Sequence, residues 1–286
     1  MIRRVNAVIL TFNNGDMLRD LLKNLGNQTF PLAKIIVVDN ATIDGTYRMI
    51  SGMFPDIDYI RLQKNTGSAG YARCFEEGLH GADAIWALDD NVLPSVDALE
   101  KLLAGYERLS KDHPLGAVRS VGSDFPGAEP SILEMAPWRG TLFQMAMIKK
   151  IGLPRSDDFL YGADLEYSLR MKENGYVCFC VPDSKCPEKR QAKMEISFFG
   201  RRSRIHKDAF RHYYAFRNEI CILSEYGEWT KLLLALLYGL KVYVALSFSR
   251  VDNKRGIFDA IRRGIIHGVR RRTRINPEYI PIVAVE

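Results

Sequence analysis

The chain is predicted to fold as an α/β protein, with one mostly parallel sheet flanked by helices and a helical C-terminal extension. Three observations predict this. Short β-branched runs recur between segments of helical period, which is the pattern of parallel strands joined by crossover helices. Each of the first four runs ends in a polar cluster. After residue 205 three helical stretches follow one another, so residues 1–205 read as the sheet domain and 206–286 as the extension.

Val5–Leu10 and Lys34–Asp39 (KIIVVD) are short, apolar and bounded by polar turns, as buried strands are. Between them Met17, Leu18, Leu21, Leu22 and Leu25 recur at helical spacing. The alternation continues with a helix over Asp44–Phe54, a strand over Tyr59–Leu62, a helix over Ser68–His80 and a strand over Ala84–Leu88. A helix over Ser95–Leu109 and a weaker strand over Gly116–Val121 follow. Ser123–Pro137, rich in Gly, Pro and Ser, reads as a loop over a site. Phe143–Ile151 and Ala163–Asn174 read as helices, the latter stopped by Gly175, and Tyr176–Val181 as a strand. Pro182–Arg204 is polar and basic and is expected to be mobile. Asp208–Tyr226, Trp229–Ser249 and Asn253–Arg272 are the three closing helices.

With 286 residues, 47% of them hydrophobic, the chain can fill a large core and is not a disordered one. Met1–Arg4 leads straight into the first strand-sized run without a cleavage site, so no signal peptide is expected. The five cysteines (Cys74, Cys178, Cys180, Cys186 and Cys221) are an odd number. Cys178, Cys180 and Cys186 lack a C-x-x-C pair, so they read as core residues in a reducing cytoplasm rather than as metal ligands. The net charge of +6 is concentrated at one end: Ser249–Arg274 holds nine Arg or Lys and two Asp, a local +7. The remainder is close to neutral. No recognition motif accompanies the basic stretch, so nucleic acid is not an expected partner.

In open parallel sheets, ligands bind beyond the carboxyl ends of the strands. Thr11-Phe12-Asn13-Asn14, Asp39-Asn40, Asn65-Thr66-Gly67 and Asp89-Asp90-Asn91 all end strands and would share one crevice. Taken singly, each also reads as helix caps or turns. Asn65–Arg73 (NTGSAGYAR) is a small-residue loop opening a helix, where backbone amides and the helix N-terminus favour phosphate. It contains neither the G-K-[ST] of a P-loop nor the G-x-G-x-x-G spacing of a dinucleotide site. Asp89-Asp90-Asn91 at a strand end facing such a loop suits a hard divalent cation, which takes one or two carboxylates together with substrate phosphates.

Taken in order, VILTFNN, IIVVDNATIDGT, NTGSAGYAR, LDDN, WRGT, IGLP, FLYGADLEYSLR and HYYAFRN resemble the family 2 glycosyltransferases over about residues 5 to 270, most of all bacterial rhamnosyl- and galactofuranosyltransferases. The resemblance implies a GT-A fold, a Rossmann-like sheet flanked by helices, and an inverting transfer. It implies that Thr11, Asn13 and Asp39 hold the nucleoside of a UDP- or dTDP-linked sugar. Asn65, Gly67, Gly70 and Arg73 would line the pocket, and Asp89 and Asn91 would be the Mg²⁺ or Mn²⁺ positions, with Asp90 between them. Asp164 would be the general base with Glu166 as its alternative, and Trp138 and Arg139 would meet the acceptor. The bland reading of Asp164 and Glu166 is of acids pairing with a helix dipole. The sequence departs from the family in having Asn91 where Asp is usual, Ala163 where an acid is frequent, and no metal-binding His within Pro182–Lys189. His206 is a weak substitute, and His212 belongs to the HYYAFRN motif.

Lys231–Phe248 is borderline for spanning a bilayer. Ile257, Ile261, Ile265 and Val269 form one stripe flanked by arginines, which suits an interfacial helix on anionic lipid or a core-packing helix with a basic outer face. The expectation is an enzyme extending a glycan or lipid-linked saccharide in bacterial cell-surface polysaccharide assembly, peripherally attached to the cytoplasmic face of the inner membrane. The alternative is a nucleotide-sugar-binding relative with weak or lost catalysis. A nucleotidyltransferase is disfavoured, because Thr11–Asp16 lacks the Gly-rich basic signature.

Overall fold

The computed structural model describes residues 2–122, 125, 127–157, 159–189, 194–198, 201–248 and 253–280. Residues 123, 124 and 126 of the expected site loop and 249–252 of the basic stretch lie outside the described residues. The chain forms two compact units, residues 1–156 with 164–190, and residues 157–163 with 191–286.

The first unit is an eight-stranded sheet in the order β3-β2-β1-β4-β7-β5-β8-β6. Its parallel half comprises β1 (Val5–Thr11), β2 (Lys34–Asp39), β3 (Asp58–Arg61) and β4 (Ala84–Asp89). Both faces of these strands are covered, so they are nearly all apolar, and Val5, Ala7, Val8, Ile9 and Ala84–Leu88 have no exposed surface. The register sets Thr11 beside Asp39, and Leu10 beside Asp89, so the strands finish level and their polar ends emerge together.

Helices α1 (Gly15–Leu25), α2 (Thr46–Met53), α3 (Gly70–Gly78) and α4 (Ala98–Leu109) follow these and the next strand connections. Helix α1 buries Leu18, Leu21, Leu22 and Leu25, the spacing seen in the sequence. Helix α3 lies so close to β1 that a Cβ on Gly70 would sit 2.5 Å from Leu10 Cδ1, and one on Gly78 2.8 Å from Val8 Cγ1.

The rest of the sheet differs from expectation in three places. Thr141–Gln144 is a strand, β7, inserted antiparallel between β4 and β5 (Leu115–Val121), and only Met145–Ile151 is helical, as α5. A short apolar run such as Leu142-Phe143 at the start of a helical pattern looks alike in either conformation, and sheet pairing decides between them. The segment read as a loop holds a short edge strand, β6 (Ser131–Leu133). The stretch expected to be mobile begins inside β8 (Val177–Lys185). It continues in the second unit as an antiparallel hairpin of β9 (Met194–Phe198) and β10 (Arg201–Ile205). Helix α6 (Ala163–Glu173) precedes β8. All five cysteines are buried and free.

The second unit also contains α7 (Ala209–Glu225), α8 (Trp229–Phe248) and α9 (Lys254–Val269). The α9 stripe is core: Ile257 and Ile261 pack with Phe216, Val242, Ala245 and Leu246, and only Val269 at its end is well exposed. The exposed apolar face belongs to α8, through Leu233, Leu234, Leu237, Tyr238 and Leu240. At the centre of the unit Arg217 is fully buried between Tyr213 and Tyr214. Its guanidinium donates to Asn218 Oδ1 at 2.6 Å and to the Arg274 carbonyl at 2.7 Å. Asn218 in turn donates to the carbonyls of Leu160 and Tyr161, both at 2.8 Å. The RN of HYYAFRN is thus a structural pair that holds the segment leading into α6.

A lysine cannot reproduce the planar fork that bonds two acceptors while stacking on rings. Arg217→Lys is therefore expected to destabilise the protein by about 1–3 kcal/mol, the range for an unsatisfied buried polar group. A melting temperature equal to wild type would contradict the role given to that fork.

Candidate active site

The polar ends of the four parallel strands bond first to one another. Asp90 accepts from Thr11 Oγ1 (2.8 Å), Asn14 Nδ2 (2.8 Å) and the Phe12 amide (3.3 Å), which ties the end of β4 to the end of β1. Asn13, at a left-handed φ of 49°, accepts the Ile43 amide, and Asp44 accepts the Gly15 amide, so the loops after β1 and β2 are joined. Asn40 bonds Thr66 and the Gly67 carbonyl, joining the loops after β2 and β3. Asp39 is buried and accepts from the amide and hydroxyl of Thr42 and from Tyr59. Asn65 accepts the Gly67 amide at 2.8 Å, and Gly67 takes a positive φ of 61°.

Asp89 occupies the mouth of this frame. Tyr71 donates to its Oδ1 at 2.6 Å and also approaches the Leu88 carbonyl at 3.0 Å. Burial raises the Asp89 pKa to about 6; the Tyr71 hydrogen bond opposes the rise and the neighbouring Asp90 adds to it. Tyr71 is itself held by a ring cluster, stacked on Trp138 with centroids 5.0 Å apart, and Trp138 packs on Phe75, Phe143 and Tyr167. Trp138 is therefore buried in the core beneath the site and not presented to an acceptor, a correction to the sequence reading. Arg139, its neighbour, is half-exposed and paired with Glu188.

The two candidate bases separate clearly. Glu166 is buried, and both its oxygens are taken by Arg170, at 3.0 and 2.8 Å, with Arg155 at 3.3 Å. It is a structural anchor at the start of α6. Asp164 keeps some exposure and accepts the Leu165 amide at 3.0 Å. Burial raises its pKa, with Arg139 and Arg119 among the opposing positive charges. A carboxyl of raised pKa on the rim of a polar crevice suits proton abstraction.

Two further expectations change. Arg73 is half-exposed and pairs with Glu76 at 2.8 Å and with Glu77 on its own helix. Gly70 is fixed by packing as well, since a Cβ there would sit 2.5 Å from Leu10 Cδ1.

The sequence pattern of Glycosyl transferase family 2 matches residues 7–163, more than half of the chain. The chain belongs to that family. The enzyme is accordingly a glycosyltransferase. It is 20% identical over 285 residues to the dolichyl N-acetyl-alpha-D-glucosaminyl phosphate 3-beta-D-2,3-diacetamido-2,3-dideoxy-beta-D-glucuronosyltransferase of Methanococcus voltae, covering 88% of this chain and 87% of that protein. Among solved structures it resembles the mannosyltransferase PcManGT of Pyrobaculum calidifontis in complex with GDP-Man and Mn²⁺. That match has a TM-score of 0.56 at 18% identity, over 94% of this chain and 87% of the other. GalNAc-T7 with UDP, GalNAc and Mn²⁺ gives a TM-score of 0.54 at 14% identity, over 67% of this chain and 44% of the other. TarS of S. aureus gives 0.52 at 14% identity, over 64% and 36%. The chain thus spans less than half the length of these last two. The likenesses establish the GT-A fold.

Three residues of the enzyme's site were not singled out from the sequence. Tyr71 stands within NTGSAGYAR, where nothing in the sequence sets it apart. Arg119, on β5, has a buried Nε without a hydrogen-bond partner, and burial followed by the charge of Arg139 lowers its pKa. Glu188 follows β8 in the stretch searched for a histidine, and it accepts from Asn91 Nδ2 at 3.1 Å.

Among the described residues no three His, Cys, Asp or Glu side chains converge as a metal cluster. A sparse protein ligand set is what Mg²⁺ or Mn²⁺ needs when a diphosphate supplies the remaining oxygens. Asn91 fits that role, because it is 9% exposed and its Oδ1 is buried without a partner.

Tyr71→Phe tests the support given to Asp89. The ring cluster is retained and one hydroxyl is lost. The variant is expected to melt within a few degrees of wild type, yet to bind nucleotide diphosphate in the presence of Mn²⁺ roughly tenfold more weakly, as when a group supporting a metal ligand is removed. Unchanged affinity would mean that Tyr71 serves packing alone.

Proposed function

We propose that the enzyme transfers a sugar, with inversion, from a UDP- or dTDP-linked donor to a hydroxyl of a glycan or lipid-linked saccharide, with Asp164 as the general base. The observation that carries this reading is the contrast at the start of α6, where Glu166 is consumed by arginines and Asp164, among the described residues, bonds only backbone amides and has a raised pKa. The carboxylate would take the acceptor proton as the acceptor oxygen bonds to the anomeric carbon. The bond from that carbon to the diphosphate breaks, and the nucleotide leaves from the opposite face. A bound divalent cation would neutralise charge gathering on the leaving diphosphate. Arg139 and Arg119 lie within electrostatic reach of Asp164 and supply positive charge to the same crevice. The motif order supports a galactofuranose- or rhamnose-class sugar and a role in bacterial cell-surface polysaccharide. The name of the M. voltae relative, which includes a dolichyl N-acetyl-alpha-D-glucosaminyl phosphate, supports a lipid-linked saccharide.

Asp164→Asn is expected to lower kcat by about 10²–10⁴-fold, the contribution of a general base, while nucleotide binding persists. The sign of the pH dependence follows from the raised pKa. The base must be ionised, so kcat/KM falls as pH drops through a value above the roughly 4 of an ordinary Asp. That limb should be absent from the residual activity of the Asn variant. Transfer at more than half the wild-type rate would remove Asp164 from this role.

The exposed face of α8 supports peripheral attachment to an anionic bilayer at the cytoplasmic face of the inner membrane. The helix is long and apolar enough to cross a membrane by length and composition, with 28% of its most apolar window buried. Its partly buried face, including Ala235, Gly239, Val242 and Ala245, fits a helix lying on the surface with one side packed against protein. Arg270, Arg271 and Arg272 follow α9 in the same unit, and each basic group near anionic lipid contributes on the order of 1 kcal/mol. Sedimentation with phosphatidylglycerol vesicles is expected, with weaker binding to phosphatidylcholine and loss on changing Leu233, Leu234 and Leu237 to Ser. Equal partitioning of that variant and wild type would exclude α8 as the attachment.

A further inference from the structure

Arg119 sits on β5 with Thr141 of β7 opposite it on one side and Cys180 of β8 on the other. Thr141 in turn stands opposite Ala87 of β4. Cross-strand partners share a face of the sheet, and so do strand residues two apart. Arg119, Thr141, Cys180, Ala87 and Asp89 are therefore set on one face. Arg119 and Arg139 both act on the Asp164 carboxyl, so the proposed base lies within electrostatic reach of the same place.

The neighbours of Arg119 are already bonded. Thr141 Oγ1 donates to the Pro137 carbonyl at 2.5 Å, and Cys180 Sγ lies 3.1 Å from Ser131 Oγ. Arg139 is held by Glu188. Arg119 is the exception: it is partly buried, and its Nε is buried with no hydrogen-bond partner. The groups that act on it most are Arg139 and the thiols of Cys178, Cys186 and Cys180. Burial pushes the Cys178 and Cys186 thiols up to about 12, so they stay neutral and do not balance its charge. An arginine keeps its proton in such surroundings. A charged group left partly buried and unpaired costs stability until an anion meets it.

The planar guanidinium fork suits a carboxylate or phosphate, taken through two N–H groups at once. Place decides which substrate carries that group. In the sheet β7 separates β5 from β4, which puts Arg119 two strand spacings, about 10 Å, from the strand that ends in Asp89. The loops after β1, β2 and β3, where the nucleotide is assigned, lie on the far side of β4. We propose that Arg119 is a specificity-determining residue for an anionic acceptor, binding a carboxylate or phosphate of the acceptor saccharide while Asp164 faces the hydroxyl to be glycosylated. The inference rests on the reading of Asp164 given above.

Calorimetry with methyl β-D-glucuronide, α-D-glucose 1-phosphate and the neutral methyl β-D-glucoside, each added to protein saturated with UDP or dTDP and Mn²⁺, tests it. Wild type is expected to bind one of the two charged sugars roughly tenfold more tightly than the neutral one, and which of them it is separates carboxylate from phosphate. Arg119→Gln should abolish that preference and leave the nucleotide affinity unchanged. Arg119→Met should melt at or above the wild-type temperature, because an unpaired charge is removed from apolar surroundings. A wild type without preference, or an Arg119→Gln variant that keeps it, overturns the proposal. So does a fall in nucleotide affinity as large as the loss of preference, since Arg119 would then serve the donor. An Arg119→Met variant that melts several degrees lower overturns it as well, in favour of a structural arginine. If Asp164→Asn turns over at the wild-type rate while the preference still depends on Arg119, the base assignment fails and the anion site stands.

Discussion

The site depends on one carboxylate that is not available to a ligand. Asp90 leaves β4 and accepts three hydrogen bonds from the first residues beyond β1. Burial raises its pKa, and the hydrogen bonds from Asn14, Thr11 and the Phe12 amide oppose that rise. With Asp90 fixed, its neighbours in sequence are fixed as well. Asp89 ends β4, and Asp90 and Asn91 form the turn that follows it. The bonds between the other loops extend the same arrangement across β2 and β3, through Asn13, Asn40, Asp44 and Thr66. The crevice is thus a rigid rim built from side chains bonding to neighbouring loops, and positions set in this way suit a reaction whose rate depends on alignment.

This division of labour explains why so many polar residues gather at the strand ends while few remain to perform chemistry. Asp39, Asp90 and Glu166 carry charge but serve as anchors, each satisfied by two or more donors. Asp89 and Asp164 are bonded more sparsely, Asp89 by Tyr71 and Asp164 by the Leu165 amide, and Asn91 Oδ1 has no partner. A buried carboxylate with all its acceptor sites filled is an expensive base, because removing its partners leaves a charge without compensation.

The sheet was legible because parallel strands buried on both faces must be apolar throughout, and four such runs alternate with helical spacing. The level strand ends could be read too, since ligand crevices in such sheets have a fixed place. The sequence was silent where the outcome depends on pairing between distant segments. Thr141–Gln144 became a strand because β4 and β5 each had an open edge for it. Trp138 stands next to Arg139 in the motif, and only packing shows that one is core while the other lines the site. The choice between Asp164 and Glu166 turned on Arg155 and Arg170, whose reach to a carboxylate follows from the fold and not from spacing. The place of Glu188 depends on the pairing of residues 187–189 with 91–93, which sequence spacing does not show.

The central claim is that the joined ends of β1 and β4 form the donor site. A crystal structure of the protein with UDP and Mn²⁺, or with the nucleotide diphosphate it binds best, tests this most directly. The account predicts the diphosphate over the Asp89–Asn91 strand end, with the cation within ligand distance of Asn91 and the nucleoside along the loops after β1 and β2. A nucleotide seated elsewhere on the sheet, or one seated here with the cation touching neither Asn91 nor Asp89, would contradict it.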